Sequence, residues 1–213
     1  MKMRRIFGVA LFAGVLGMTE AASAQTTVTL GSQDFADGTT PTTATFLTAG
    51  AGEPAPFNGV FVGSDVTGPN FSASWTFTYA PLATVTAGRM TLGIYDHESS
   101  ASGNQVASFT LNGIELAAPL NALFEARGGG SRVDNVYTLA LPGSTFAALQ
   151  TGAVTFALSL QGPGLGVLGE TTFNGAALDF STLAVTSVPE PETYAMLLAG
   201  LAMLGLILKR RAS

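Results

Sequence analysis

Cysteine is absent from all 213 residues, which excludes disulfides, thiolate metal sites and a cysteine nucleophile. Histidine occurs once, at His97. A single imidazole leaves zinc without its usual ligands. It is also the one imidazole open to a serine-hydrolase triad, for which no G-x-S-x-G elbow is present; His97 reads instead as an exposed loop residue. Lysine is missing from the whole stretch 25–188, where Arg89, Arg127 and Arg132 stand against eleven acids for a net charge of −8. A surface this acidic repels phosphate backbones and argues against nucleic acid as a partner. It suits solubility, divalent cations or neutral partners such as glycans.

The six other cations are gathered at the two ends of the chain. Lys2, Arg4 and Arg5 precede an apolar run from Ile6 to Met18, and Ala22-Ser23-Ala24 forms an A-x-A site before Gln25. That order predicts a signal peptide over residues 1–24, removed after Ala24 by signal peptidase. At the other end Val188-Pro189-Glu190-Pro191-Glu192 leads into an apolar run from Tyr194 to Leu208, closed by Lys209, Arg210 and Arg211. Proline lacks the N–H that a helix interior needs, so the helix begins after Pro191. Fifteen residues make about 22 Å of helix at about 1.5 Å each, short of a hydrocarbon core of roughly 30 Å. The segment spans if its terminal cations snorkel and the bilayer thins. Lys209, Arg210 and Arg211 then stop it on the cytoplasmic side and the Pro-Glu-Pro segment emerges on the other.

These residues, from Val188 to Ser213, resemble the PEP-CTERM signal of Gram-negative bacteria, also catalogued as an ice-binding protein C-terminal domain. The resemblance implies recognition by the membrane enzyme exosortase, with Pro189, Glu190 and Pro191 as the sorting motif. It also implies a transient stay in the inner membrane and release to the cell surface or outside, often beside exopolysaccharide or biofilm genes. Ice binding itself would need a flat, regular threonine array on a repetitive fold, and the chain carries no such repeat.

Residues 25–187 have the size of one domain, and period-two alternation dominates them. Phe71 to Tyr79 places apolar residues at odd positions and hydroxyls at even ones, a strand with one buried and one wet face. Met90, Leu92 and Ile94 alternate likewise, as do Ala107, Phe109 and Leu111, then Tyr137, Leu139 and Leu141, then Val154 to Leu160. Leu178 to Val185 is the last strand. Asn112-Gly113 predicts a tight hairpin turn. Leu120, Leu123 and Phe124 fit a turn and a half of helix, Ser144 a cap for a short helix ending at Gln150, and Thr39 to Asn58 a long loop or irregular edge. Many short strands, 26 glycines and few helices give an all-β fold, an antiparallel β-sandwich or jelly roll, flanked by the signal peptide and a single C-terminal transmembrane helix. The domain is also similar to the β-rich domains that commonly precede PEP-CTERM tails, which lends no activity to any residue.

Chemistry is thin. Gly164 to Gly169 satisfies G-x-G-x-x-G, yet the residues after it continue as a loop and open no helix for a pyrophosphate. Asp96 and Glu98 share a face if extended and form the nearest carboxylate pair for a glycosidase reading. The loop Asp96 to Asn104, with two carboxylates, three hydroxyls and an amide, is equally a candidate for structural Ca²⁺ or a plain solvated hairpin tip. Asp34 and Asp179 would join it if the first and last strands lie together. Trp75, Phe77, Tyr79 and Phe71 offer a stacking platform for extracellular polysaccharide if they face solvent, with Tyr95 and Tyr137 as alternatives; the alternation turns the first set inward. The sequence therefore predicts a non-enzymatic structural or weakly glycan-binding surface module. A secreted carbohydrate-active hydrolase using Asp96 and Glu98, or a permanently anchored periplasmic domain, stands as the alternative.

Overall fold

The computed structural model describes residues 23–64, 68–97, 103–127, 132–162, 173–188, 197–204 and 207. The expectations for Ala22, Glu98, Gly164 to Gly169, Pro189, Glu190, Pro191 and Lys209 to Arg211 lie outside these residues. Among the described residues up to Val188, eight strands and three helices run in the order β1 (Ala24–Gly31), α1 (Thr43–Ala49), β2 (Ser72–Thr78), β3 (Thr84–Tyr95), β4 (Val106–Leu111), β5 (Ile114–Glu115), α2 (Ala117–Arg127), β6 (Asp134–Leu141), α3 (Phe146–Gln150), β7 (Ala153–Leu160) and β8 (Ala177–Val188). They form two antiparallel sheets, sheet 1 in the order β1-β8-β3-β6 and sheet 2 in the order β2-β7-β4-β5. Strand 1 pairs with 8, 2 with 7, 3 with 6 and 4 with 5, as if one long hairpin had been wound over itself. That is the strand order of a jelly roll.

Alternation dictates which faces meet. Trp75 and Phe77 of β2, Phe109 and Leu111 of β4, and Val154, Phe156, Leu158 and Leu160 of β7 are buried from sheet 2. Met90, Leu92, Ile94, Tyr137, Leu139, Leu141, Leu183 and Val185 are buried from sheet 1, all in one core. Phe156 is its hub, with ring centroids 6.0 Å from Trp75, 5.8 Å from Phe77 and 5.6 Å from Phe109. The outward positions are hydroxyls that pair across strands: Ser72 with Ser159, Thr76 with Thr155, Thr29 with Thr182 and Thr91 with Thr138. One strand departs from its pattern. A register shift between Val106 and Ser108 turns Val106 into the core and leaves Ala107 exposed, because a bulge spends one residue without reversing the face.

The Asn-Gly hairpin forms as its chemistry requires, with Asn112 at φ 48° and Gly113 at φ 81°. The Asn112 side chain also accepts from Thr155 N–H at 2.8 Å, and its own N–H donates to Thr155 O at 2.9 Å, docking the turn on β7. Next to it Glu115 Oε1 accepts from Leu116 N–H at 3.1 Å and Ala117 N–H at 2.8 Å, satisfying orphan donors at the start of α2. That cap helps α2 run eleven residues, longer than the apolar spacing predicts. The expected short helix near Ser144 is α3, preceded by a 3₁₀ turn over Gly143–Thr145; Thr145 rather than Ser144 anchors it, through a hydroxyl bond to Pro142 O at 2.7 Å.

The stretch Thr39 to Asn58, expected as a loop or irregular edge, contains α1. Thr42 caps it by accepting from Thr45 N–H at 3.2 Å. Four of its seven residues are poor helix formers, so local propensity does not hold it. Packing does: Phe46 stacks between Phe35 at 5.6 Å and Tyr95 at 4.3 Å, on the outer face of sheet 1.

Candidate functional site

His97 corrects the sequence reading. It is 1 % exposed, not a surface loop residue. It closes the end of β3 against β4, α2 and β6: Nδ1 lies 3.2 Å from Gln105 Oε1 and Nε2 2.9 Å from the Tyr137 hydroxyl, with the Phe124 ring 4.3 Å away. An amide oxygen only accepts, so Nδ1 carries the proton and Nε2 accepts from Tyr137. Burial pushes His97 down to about 4, opposed by the bond to Gln105. The imidazole is thus neutral, satisfied on both nitrogens and cut off from solvent, the arrangement of a structural clamp.

Asp96 sits one residue earlier with φ 59°, a left-handed conformation that Asp tolerates. Its Oδ1 accepts from the backbone N–H of Arg132, while its own N–H donates to Val133 O at 3.0 Å. It therefore holds the turn leading into β6. Its expected partner Glu98 lies outside the described residues.

The first and last strands do lie together, from Ala24↔Ser187 to Gly31↔Phe180, and this brings Asp34 to Asp179: the Asp34 N–H donates to Asp179 Oδ1 at 3.4 Å. Asp134, which no sequence motif singled out, is placed on the same face. It stands opposite Tyr95 on β6, as Ala177 stands opposite Tyr95 on β8. Asp179 occupies the register shift beside Gly93, where a Cβ on Gly93 would meet the Phe180 ring at 2.6 Å and Asp179 Cβ at 3.1 Å. Only glycine leaves room for that crossing. Burial, and then the charge of Asp179, push Asp134 up to about 8. Asp179 is pushed up to about 6 by burial; the N–H groups of Asp34 and Phe35 oppose this, and the charges of Asp34 and Glu53 add to it. Asp34, at the rim, is raised by partial burial and by Glu53.

No solvent-facing aromatic platform forms from the candidates. Phe71, Trp75, Phe77, Tyr95 and Tyr137 are buried and Tyr79 is half-buried, its hydroxyl donating to Leu149 O at 2.7 Å. Tyr95 and Tyr137, the alternatives, are thus corrected: each is closed over by aromatic neighbours, Phe46 for one and Phe124 and His97 for the other. What faces solvent is the hydroxyl-bearing outer surface of the sheets and a groove of about 490 Å³ beside α2, lined by Asn104, Val106, Ala107, Glu115, Asn121 and helix alanines.

β8 ends at Val188. Ser187 pairs with both Ala24 and Val85, and Val188 with Thr84. Beyond it, residues 197–204 are helical with Leu197, Leu198, Leu201, Met203 and Leu204 each more than half exposed. Among the described residues no helix is long and apolar enough to cross a membrane. The molecule is thus an all-β domain whose last strand, β8, ends at Val188. Residues 187–211 match the PEP-CTERM protein-sorting motif, which implies an exosortase-sorted protein exported to the cell envelope or surface. No curated protein matches the chain.

Proposed function

We propose that the chain is a non-enzymatic surface or matrix module of a Gram-negative bacterium, delivered by signal peptidase and exosortase and bearing weak affinity for extracellular polysaccharide. The observation that carries this reading is the junction at Ala24 and Val188. Ala24, the last residue of the A-x-A site, pairs with Ser187, and the sorting motif begins within the same two residues of β8. Ala24 and Ser187, which adjoin the two proposed processing sites in the sequence, therefore lie side by side at one end of the domain. β8 lies inside sheet 1 and ends at Val188, so the sheet is completed only when the last strand has crossed. The apolar residues around 197–204 hold the chain in the inner membrane until exosortase acts.

The exported surface favours glycans over other ligands by its chemistry. Rows of neutral hydroxyls on both outer faces suit sugar hydroxyls, and the groove beside α2 adds amides and a carboxylate, while buried aromatics supply no stacking. Affinity is accordingly low. Fractionation of strains with and without exosortase tests delivery: the protein leaves the cell in the first and stays with the membrane in the second. Glycan arrays and a glycosidase screen on the released protein test the rest. Turnover abolished by Asp96→Asn or Glu98→Gln would establish the hydrolase reading instead.

A further inference from the structure

Among the described residues two buried carboxylates have no cation paired with them. Asp134 is 0 % exposed and Asp179 4 %. Neither oxygen of Asp134 and not the Oδ2 of Asp179 has a hydrogen-bond partner. Other unpartnered buried atoms, such as Trp75 Nε1 and Ser181 Oγ, are neutral. A buried carboxylate is a far costlier orphan, tolerated where it is paired, protonated or bound to metal. No lysine exists in the domain, and Arg127 is committed to Asp37 and to Val136 O at 2.9 Å.

The surroundings are built around this pair. Asp134 and Asp179 lie on the outer face of sheet 1, on strands that flank β3, and residues 32–39 cross above them. That segment is pinned at both ends of the pair: Asp34 N–H bonds Asp179, while Gly38 N–H donates to Asp134 O at 2.7 Å and Asp134 N–H to Thr39 O at 2.8 Å. Asp37 Oδ1 adds a bond from Val136 N–H at 2.9 Å. Asp34 and Glu53 stand at the rim, and Glu53 Oε2 accepts from Ser32 N–H at 3.2 Å. The Tyr95 hydroxyl is turned away, bonded to Pro41 O at 3.2 Å.

We propose that the carboxylates of Asp134 and Asp179, beneath residues 32–39 on the outer face of sheet 1, bind one Ca²⁺ ion, with backbone carbonyls and water completing its shell. The donors are all hard oxygens, which suits Ca²⁺ and excludes the nitrogen- and sulfur-seeking metals. No group of three or more acidic, histidine or cysteine side chains converges among the described residues, so two carboxylates set the affinity, in the range of about 10⁻⁴–10⁻³ M found in extracellular calcium modules. Asp96 is not among the proposed ligands, since its Oδ1 accepts from the backbone N–H of Arg132. The ion fastens the first strand's exit segment to the last strand and β6, doing for a cysteine-free exported domain what a disulfide does elsewhere.

The test uses the full-length chain in detergent, stripped with EDTA and then given CaCl₂. One ion per chain is expected by equilibrium dialysis, with Tm raised by about 5–10 °C at a hundredfold excess over Kd. Asp134→Asn and Asp179→Asn are each expected to abolish binding and yet melt higher than the wild type in EDTA, because an amide removes the unanswered charge. Asp96→Asn is expected to bind as the wild type does. Tb³⁺ replacing Ca²⁺ supplies a readout independent of melting: its luminescence, excited through Tyr95, should appear in the wild type and vanish in both Asn variants. No bound ion in the wild type, or binding lost in Asp96→Asn and kept in Asp134→Asn, overturns the proposal.

Discussion

His97 and the Asp134–Asp179 pair lie near the same end of sheet 1, one on its inner face and the other on its outer, and they solve burial in opposite ways. Around His97 both ring nitrogens are matched, the imidazole stays neutral, and β3, β4, α2 and β6 are locked in one register. Around the carboxylates three oxygens go unmatched. The first site is complete as the chain folds, whereas the second is complete only with a further charge. A buried polar group stabilises when its partners come with it and costs free energy when they do not.

Removing the His97 ring should give the largest effect. His97→Ala removes both hydrogen bonds of the ring and opens a cavity under Phe124, at a cost of about 3–5 kcal/mol in urea denaturation. By the same measurement in EDTA, Asp134→Asn should have the opposite sign. A loss as large as that of His97→Ala would mean that Asp134 is as well partnered as the histidine, and the contrast would fail.

Filling Gly93 comes next. Gly93→Ala drives a methyl into the Phe180 ring and against Asp179 Cβ, so overpacking of about 1–3 kcal/mol is expected together with a weakened Ca²⁺ response. A destabilised variant with the wild-type Ca²⁺ affinity would separate the register shift from the carboxylate site.

The pH dependence of melting in EDTA sharpens the contrast further. His97 is depressed from 6.5 to about 4, so the unfolded chain binds the extra proton and its contribution to stability is lost as pH falls from 6.5 to about 4. Asp134 and Asp179 are raised from 3.8 to about 8 and about 6, so their contribution is present at low pH and lost as pH rises through those values. Stability of the metal-free protein should therefore decline between pH 6.5 and 8, and Asp134→Asn should flatten that decline. His97→Gln should remove only the acid limb.

The smallest effect is expected where the sequence was most legible. Asn112→Ala loses a side-chain bond to Thr155 and a residue suited to positive φ, for about 1–2 kcal/mol by urea denaturation.

Legibility followed the range of the forces. Strands of period two, the inward turn of Trp75 and Phe77 and the Asn-Gly hairpin depend on neighbours within a few residues, and the sequence displays them. The bulge that exchanges Val106 for Ala107 depends on β7, and α1 depends on Phe35 and Tyr95 rather than on its threonine-rich sequence. His97 was misplaced because Gln105, Phe124 and Tyr137, which enclose it, lie 8, 27 and 40 residues away. Asp134 and Asp179 were visible as acids, but only their positions on strands flanking β3 put them on one face. The sorting motif was legible because its order of proline, apolar run and cations is itself the signal.

Delivery to the surface is tested most directly by the intact mass of the protein released from a strain with active exosortase. A chain that begins at Gln25 and ends near Pro189-Glu190-Pro191 is expected. A released species that still carries Tyr194 to Ser213 would contradict processing at the sorting motif and leave a domain held by a permanent anchor.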